Sequence, residues 1–390
     1  MDIILPKSVR ACLKTLEKAG LQAYLVGGCV RDMLMNKQPN DYDITVNASP
    51  ETVKSLFRRT FDTGIKHGTV TVLIDGMPLE ITEMRTDGEY TDHRHPNNVI
   101  PTKNLADDLA RRDFTVNAMA MDRQGNITDI FGGADDIDRK IIRCVGDANR
   151  RFDEDALRIM RAFRFCSQLN FALDGDTKKS ALNNAHLLEN ISAERIYAEL
   201  KKTLIGGNPA ALEPLISTNA LKKYGLCADV DLSLINGSYN DVNVRLALLF
   251  IICESDVRSA MNALKSDKAT ARTVCNLCRL YRENVLCDID EVGLKRLIFE
   301  NGLDTCKLLI SLYDVFGRID VAQAENMLNI VQKLPINIRD LAIKGQDLIG
   351  IGISGEKVGT ALDVLLQKVW ENPQLNDKNT LIDIAKSIEL

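Results

Sequence analysis

The sequence predicts an α+β protein, with a head of about 140 residues holding a small mixed or antiparallel sheet and helices, then an all-α remainder. Three observations carry this. Six of the ten prolines lie at or before Pro101, and none falls between there and Pro209. Short β-branched runs, broken by Gly, Asp and Asn turns, crowd the same first region. From about residue 150 apolar residues recur at spacings of three and four, the period of helices packing on one face.

In chain order, "SVRACLKTLEKAG" reads as a helix that Gly20 closes. "QAYLV" is a strand running into Gly27-Gly28, and "DYDITV" a second strand after a polar turn. "TVTVLI" and "LEITEMR", separated by "DGMP", form a hairpin around Asp75-Gly76. "DEDALRIMRAFRFCSQL" reads as one helix with Ala156, Met160 and Phe163 on a single stripe. "ISAERIYAELKKTLIG" is a helix with a Ser-x-x-Arg cap candidate, and further helices fill residues 210–330. No internal repeat or low-complexity linker interrupts them.

Composition narrows the class. At 45% hydrophobic and 26% charged, the chain has the balance of a soluble globular protein. Pro6 and Lys7 break the N-terminal apolar run, so a signal peptide is not expected. "VRLALLFIIC" is too short to span a bilayer, so no membrane partner is expected. Ten cysteines without a repeating spacing suit free thiols in a reducing cytoplasm. One C-x-x-C, Cys275 and Cys278, lacks a second pair, and none of the histidines (His67, His93, His95, His186) is near; it reads as a helix with buried thiols. The net charge of −5 argues against a general nucleic-acid coat protein and leaves room for a local basic groove.

Chemistry concentrates in a few motifs. In "NDYDITV", Asp41 and Asp43 fall two apart, so an extended chain points both carboxylates to one face and Tyr42 to the other. The pair reads as a turn or as a metal site, since adjacent like charges are costly unless a cation sits between them. Upstream, "YLVGGCVRDML" joins a strand to a helix through Gly27-Gly28, with Arg31 on the first turn. Such a turn lets backbone N–H groups approach a phosphate, and a plain helix cap is the alternative. The segment is neither a dinucleotide fingerprint nor a P-loop. A phosphate cradle leading into paired carboxylates is what metal-assisted phosphoryl transfer needs.

"LVGGCVRD" with "NDYDIT" resembles the head of the class II tRNA nucleotidyltransferase and bacterial poly(A) polymerase family. "TGIKHGTVTV", "RTDGEYTDHRHP", "DLARRDFTVNAMAMD", "DIFGGADDI" and "RFDEDALRIMRAFRF" follow in the family's order. The likeness is strong over residues 20–205 and looser beyond, and lies nearest the CCA-adding branch without a phosphohydrolase domain. It implies a nucleotidyltransferase that adds CCA to the tRNA 3′ end from CTP and ATP, with Mg²⁺, and no DNA partner. An enzyme adding only the terminal A after a CC-adding partner shares these head motifs. A poly(A) polymerase or an inactive RNA-binding relative fits less well, given "GIKHGTVTV" and intact Asp41, Asp43, Asp155 and Arg158. The implied layout is a catalytic head at 1–140, a base-reading neck at 141–206, a body at 207–330 and a tRNA-binding tail at 331–390.

The same resemblance implies roles. Asp41 and Asp43 would hold two Mg²⁺ ions, with Glu80 on the neighbouring strand as an auxiliary carboxylate. Gly28, Arg31 and Arg112 would contact the nucleotide; Asp113 and Asn117, four apart on one helical face, are candidates for the ribose. Without the flanking motifs Arg111, Arg112 and Asp113 would read as an ordinary ion-pair cluster. Asp155 and Arg158, three apart, would share a face and read the base; an i,i+3 salt bridge is the plain alternative. A carboxylate acceptor beside a guanidinium donor matches the amine-plus-ring-acceptor edge that cytosine and adenine share. Uracil and guanine invert that pattern. Arg161 and Arg164 would add nucleotide contacts, Arg94 in the polar loop would help switch from C to A, and Lys344 and Lys357 flank tail glycines that could meet RNA phosphate.

Overall fold

Helix α1 (Lys7–Lys18) buries Val9, Cys12, Leu13 and Leu16 on one face. It stops where expected. Gly20 takes φ +78°, Leu21 N–H reaches the Leu16 carbonyl at 3.1 Å and Gly20 N–H that of Glu17 at 2.9 Å, a Schellman closure. The computed structural model describes residues 5–65, 68–88, 99–227 and 230–388.

The head continues through β1 (Ala23–Val26), α2 (Gly28–Leu34), β2 (Asp43–Val46), α3 (Pro50–Leu56), β3 (Thr60–Gly64), β4 (Thr69–Ile74) and β5 (Met77–Glu83). A small pair, β6 (Arg85–Asp87) and β7 (Val99–Pro101), precedes α4 (Leu105–Ala110), β8 (Met119–Met121) and β9 (Ile127–Asp129). Seven strands form a sheet in the order β3-β4-β5-β2-β1-β8-β9. Only β2 and β5 run parallel; the other neighbours are antiparallel. Ile44, Thr45 and Val46 of β2 are all buried, which seats this central strand between two packed layers.

The hairpin forms at Asp75-Gly76, with φ +49° and +81° and Ile74 opposite Met77, a two-residue type I′ turn. Strand β5 starts at Met77, ahead of the expected Leu79. Pro78 is tolerated there because it pairs only with Leu73 of β4; pairing to β2 begins at Glu80.

After α5 (Gly133–Asp138), the stretch read as one helix is two, α6 (Ala148–Glu154) and α7 (Leu157–Leu169). Asp155 between them is extended, φ −141° and ψ 102°, and its carboxylate accepts the Leu157 N–H at 3.1 Å. An aspartate that binds the backbone two residues on competes with helix continuation, and here it restarts the helix. The stripe of Ala156, Met160 and Phe163 is buried as expected. Helices α8 (Gly175–Asn183) and α9 (Ala193–Leu204) follow; Ser192 precedes α9 without a side-chain capping bond.

The chain divides into two compact units, residues 1–232 with 263–265, and 233–262 with 266–390. The second is helical throughout its described residues. Its helix Val242–Ile252 is mostly apolar, with Val244 to Phe250 all buried, and helices Lys268–Arg282 and Leu303–Val315 pack against it. Near the C-terminus Leu341, Leu348, Leu365 and Trp370 form a separate cluster. All ten cysteines are free, and no described helix is long and apolar enough to cross a membrane.

Candidate active site

Strand β2 begins at Asp43, with Asp41 in a bend two residues earlier. Both are exposed while Tyr42 between them is buried, so the two carboxylates share a face. Parallel pairing sets Glu80 of β5 directly beside Asp43. The protein packed around Asp43, then the charges of Asp41 and Glu80, push its carboxyl up to about 6, while Arg112 pulls the other way. A divalent cation fits this rim, because it would relieve the repulsion that raises Asp43. Among the described residues no group of three or more His, Cys, Asp or Glu is arranged to hold a metal alone. A hard cation here would therefore take further oxygens from phosphate and water, the usual habit of Mg²⁺.

Gly27 has φ +76°, and a Cβ there would lie 3.1 Å from Arg112 Nη1. Glycine is needed on both counts: the left-handed backbone, and the guanidinium resting on it. The turn opens α2 at Gly28; Arg112 rests against it, and its charge also reaches Asp43. Arg112 Nη2 donates to Asp108 at 3.1 Å and its buried Nε has no acceptor. Asp108 is fully buried; burial raises its carboxyl, but Arg111 and Arg112 hold it below its ordinary value.

Arg31 is buried and points inward. It donates to Asp32 at 2.7 and 2.9 Å and, through Nη1, to Asn117 Oδ1 at 2.7 Å. Asn117 donates in turn to Asp113 Oδ1 at 3.3 Å. Asp113 and Asn117 thus meet, but not on an α-helix face: residues Thr115–Asn117 form a single 3-10 turn, and the Phe114 N–H binds Asp113 Oδ1 at 2.8 Å. Asp113 Oδ2 accepts both Nε (2.8 Å) and Nη2 of Arg161 on α7. Burial raises the Asp113 carboxyl, yet Arg161 outweighs it and the net value falls to about 2.

The expected Asp155–Arg158 pairing on one helical face does not form. Because Asp155 is extended, its Oδ2 accepts from Arg195 of α9 at 3.3 Å. Arg158, buried, donates to Glu154 at 2.8 Å and to the carbonyls of Arg151 and Arg111 at 3.2 Å. Farther along α7, Arg164 pairs with Glu199 of α9 at 3.2 Å; burial first, then Arg161, lowers its pKa to about 10. Phe165 gathers three of these cations. The guanidinium carbons of Arg164, Arg161 and Arg31 lie 4.1, 5.5 and 5.6 Å from its ring centroid. Arg94 lies outside the described residues.

The structure therefore brings Asp41, Asp43, Glu80, Arg112 and the Gly27-Gly28 turn together in the head, and links Arg31, Asn117 and Asp113 to Arg161 of α7. Sequence reasoning missed the acids that hold these arginines: Asp32, Asp108, Glu154 and Glu199. The i,i+4 spacings of Asp108–Arg112 and Glu154–Arg158 could have flagged two of them. Glu199, reached only through packing of α9 on α7, carried no such signal.

The chain is similar to known proteins along most of its length. The model of the poly A polymerase head domain matches residues 23–143. A probable RNA- and SrmB-binding site of polymerase A matches 170–224, and a putative tRNA nucleotidyltransferase domain 2 matches 240–385. The CCA-adding enzyme of Lactobacillus delbrueckii subsp. bulgaricus is 39% identical, over 92% of this chain and 91% of its own. The crystal structure of the Bacillus stearothermophilus CCA-adding enzyme with CTP matches with a TM-score of 0.83 at 32% identity, covering 98% of each chain. The Thermotoga maritima CCA-adding enzyme complexed with tRNA shares the fold, with a TM-score of 0.69 at 20% identity over 100% of this chain and 97% of that one.

Proposed function

This chain belongs to the family of CCA-adding enzymes, and from that premise we propose how its own residues add C, C and A to the tRNA 3′ end from CTP and ATP. It is a nucleotidyltransferase of tRNA processing, releasing pyrophosphate at each addition. The observation that carries the reading is the crowding of Asp41, Asp43 and Glu80 beside Arg112 and the Gly27-Gly28 turn. One end of that constellation suits cations, and the other suits a triphosphate.

Asp41 and Asp43 would hold divalent cations, Mg²⁺ in this reading, with Glu80 adjusting their field. A cation held there would supply a lowered pKa for an RNA 3′-hydroxyl and positive charge opposite the departing pyrophosphate. Gly28 leaves the backbone N–H groups at the start of α2 open to phosphate oxygens. Arg112, with an Nε that has no acceptor, and Arg31, braced by Asp32 and Asn117, add charge-assisted donors. Asp113 and Asn117, engaged with Arg161 and Arg31, brace these donors and border the ribose.

Base selection falls to Asp155 and Arg158, with Arg161 and Arg164 at the same edge. Asp155 exchanges Arg195 for the exocyclic amine, and Arg158 exchanges a carbonyl for the ring acceptor. Uracil and guanine present the inverse order and leave a charged group unpaired, the discrimination that a polar site enforces best. The head at 1–140, neck at 141–206, body at 207–330 and tail at 331–390 divide transfer, base reading and tRNA grip among them. Ten free thiols suit a cytoplasmic enzyme.

The test supplies tRNA transcripts ending before CCA, after C and after CC, each with CTP or ATP alone and with both together. Completion of all three substrates is expected. Activity confined to the CC-ending transcript would reassign the chain to A addition. Asp41→Ala and Asp43→Ala should abolish both C and A incorporation while tRNA still binds.

A further inference from the structure

Resting on that reading, we infer that Phe165 is a positioning residue, an aromatic anchor that holds the triphosphate-side arginine of the head and two base-side arginines of the neck in one register. Its side chain is buried, so it acts through its neighbours. Arg31 comes from α2 in the head, Arg161 and Arg164 from α7, and all three lie within 5.6 Å of the ring centroid. Phe114 packs edge-on against the same ring at 5.6 Å, which fixes its plane.

The choice of an aromatic ring has a chemical reason. Three guanidiniums this close repel one another, and each is paired with a carboxylate: Asp32 for Arg31, Asp113 for Arg161 and Glu199 for Arg164. A carboxylate in the middle would gather the cations but consume their N–H donors. The ring face attracts a cation through its quadrupole and takes up no hydrogen-bond donor. The arginines can therefore stay clustered and still donate to a nucleotide. Because one ring serves both ends, a shift of α7 moves Arg31 with it, and triphosphate grip and base choice are set together.

The experiment compares Phe165→Leu and Phe165→Met, which keep apolar bulk, with Phe165→Tyr and Phe165→Trp, which keep a π face. Steady-state KM and kcat are measured for CTP and ATP, and UTP incorporation is measured in competition with CTP on tRNA lacking CCA. Leu and Met should raise KM for CTP and ATP by a similar factor, about tenfold, and raise the UTP share, whereas Tyr should restore both towards the parent. A merely structural role would lower the folded fraction without altering KM or the UTP share. Thermal denaturation identifies any variant that fails to fold, and the Met variant then stands in for Leu. Parental KM and UTP exclusion in a folded Leu or Met variant overturns the inference, as does a Tyr variant no better than Leu. A parent that adds neither C nor A would instead overturn the functional reading.

Discussion

Two aspartates show how environment divides one side chain into opposite roles. Asp43, ordinarily near 3.8, is held at about 6 by the protein around it and by Asp41 and Glu80. Between those values the folded chain keeps a proton that the unfolded chain has lost. Ionising Asp43 therefore costs stability as pH rises through that window, and a cation recovers the cost. Carboxyl NMR on the metal-free protein should show Asp43 titrating near 6, Asp41→Asn should move it down, and a saturating divalent ion should move it further. Titration near 4 in the parent would remove the crowding argument for a metal. Asp113 runs the other way. Its value of about 2 means that its contribution is present above 3.8 and is lost as pH falls towards 2. Asp113→Asn should cost about 2 kcal/mol at pH 7, below the figure for a fully buried pair because Arg161 is partly exposed. Urea denaturation at pH 7 and pH 3 measures this. The difference between parent and variant should shrink at the lower pH, and equal midpoints at pH 7 would show the pair to be inert.

At the scale of elements, the glycine turn before α2 is the most constrained feature. Gly27→Ala introduces a Cβ at φ +76° and 3.1 Å from Arg112 Nη1. The backbone term alone is about 1–3 kcal/mol, since ψ −135° at this φ is a region that side chains other than glycine avoid, and Arg112 must also move from the place that the proposed reading gives it beside the nucleotide. KM for CTP and ATP should rise more than tenfold while a melting experiment shows only a modest loss; an unchanged KM would mean that Arg112 does not serve the triphosphate. How much of such detail was legible depended on whether it is local. Gly20 and Asp75-Gly76 declared their turns because a positive φ favours those residue types, and Asp41 and Asp43 declared a shared face because strand alternation is local. The helix break was missed because periodicity across residues 148–169 is helical on both sides, and a single Asx interaction at Asp155 decides it. Partners such as Arg161 and Asp113, or Phe165 and Arg31, were illegible for another reason. Helical spacing tells which residues share a face, not which face of the head that helix will meet.

The whole molecule poses an electrostatic problem: a chain of net charge −5 must hold a polyanion. Charge so arranged cannot attract RNA by its sum, so affinity has to arise where basic groups are locally in excess. The arginines of the candidate site are one such place, but Arg31, Arg111, Arg112, Arg151, Arg158, Arg161 and Arg164 already face Asp32, Asp108, Asp113, Glu154 or Glu199, which lowers their long-range field. In the proposed reading their task is short-range hydrogen bonding to a nucleotide. The two substrates should then respond differently to salt. A nucleotide gripped by a few buried or half-buried donors is weakly screened, whereas tRNA held by exposed Lys and Arg displaces counterions with every phosphate neutralised. Raising KCl from 50 to 200 mM should increase KM for tRNA by about thirtyfold or more, as for three or more phosphate contacts, and KM for CTP only a few fold. Plotted as log KM against log salt, the tRNA line should be steep and the CTP line shallow. Parallel lines would mean that tRNA is held by the same shielded arginines as the nucleotide, and that no separate basic surface on either unit takes part.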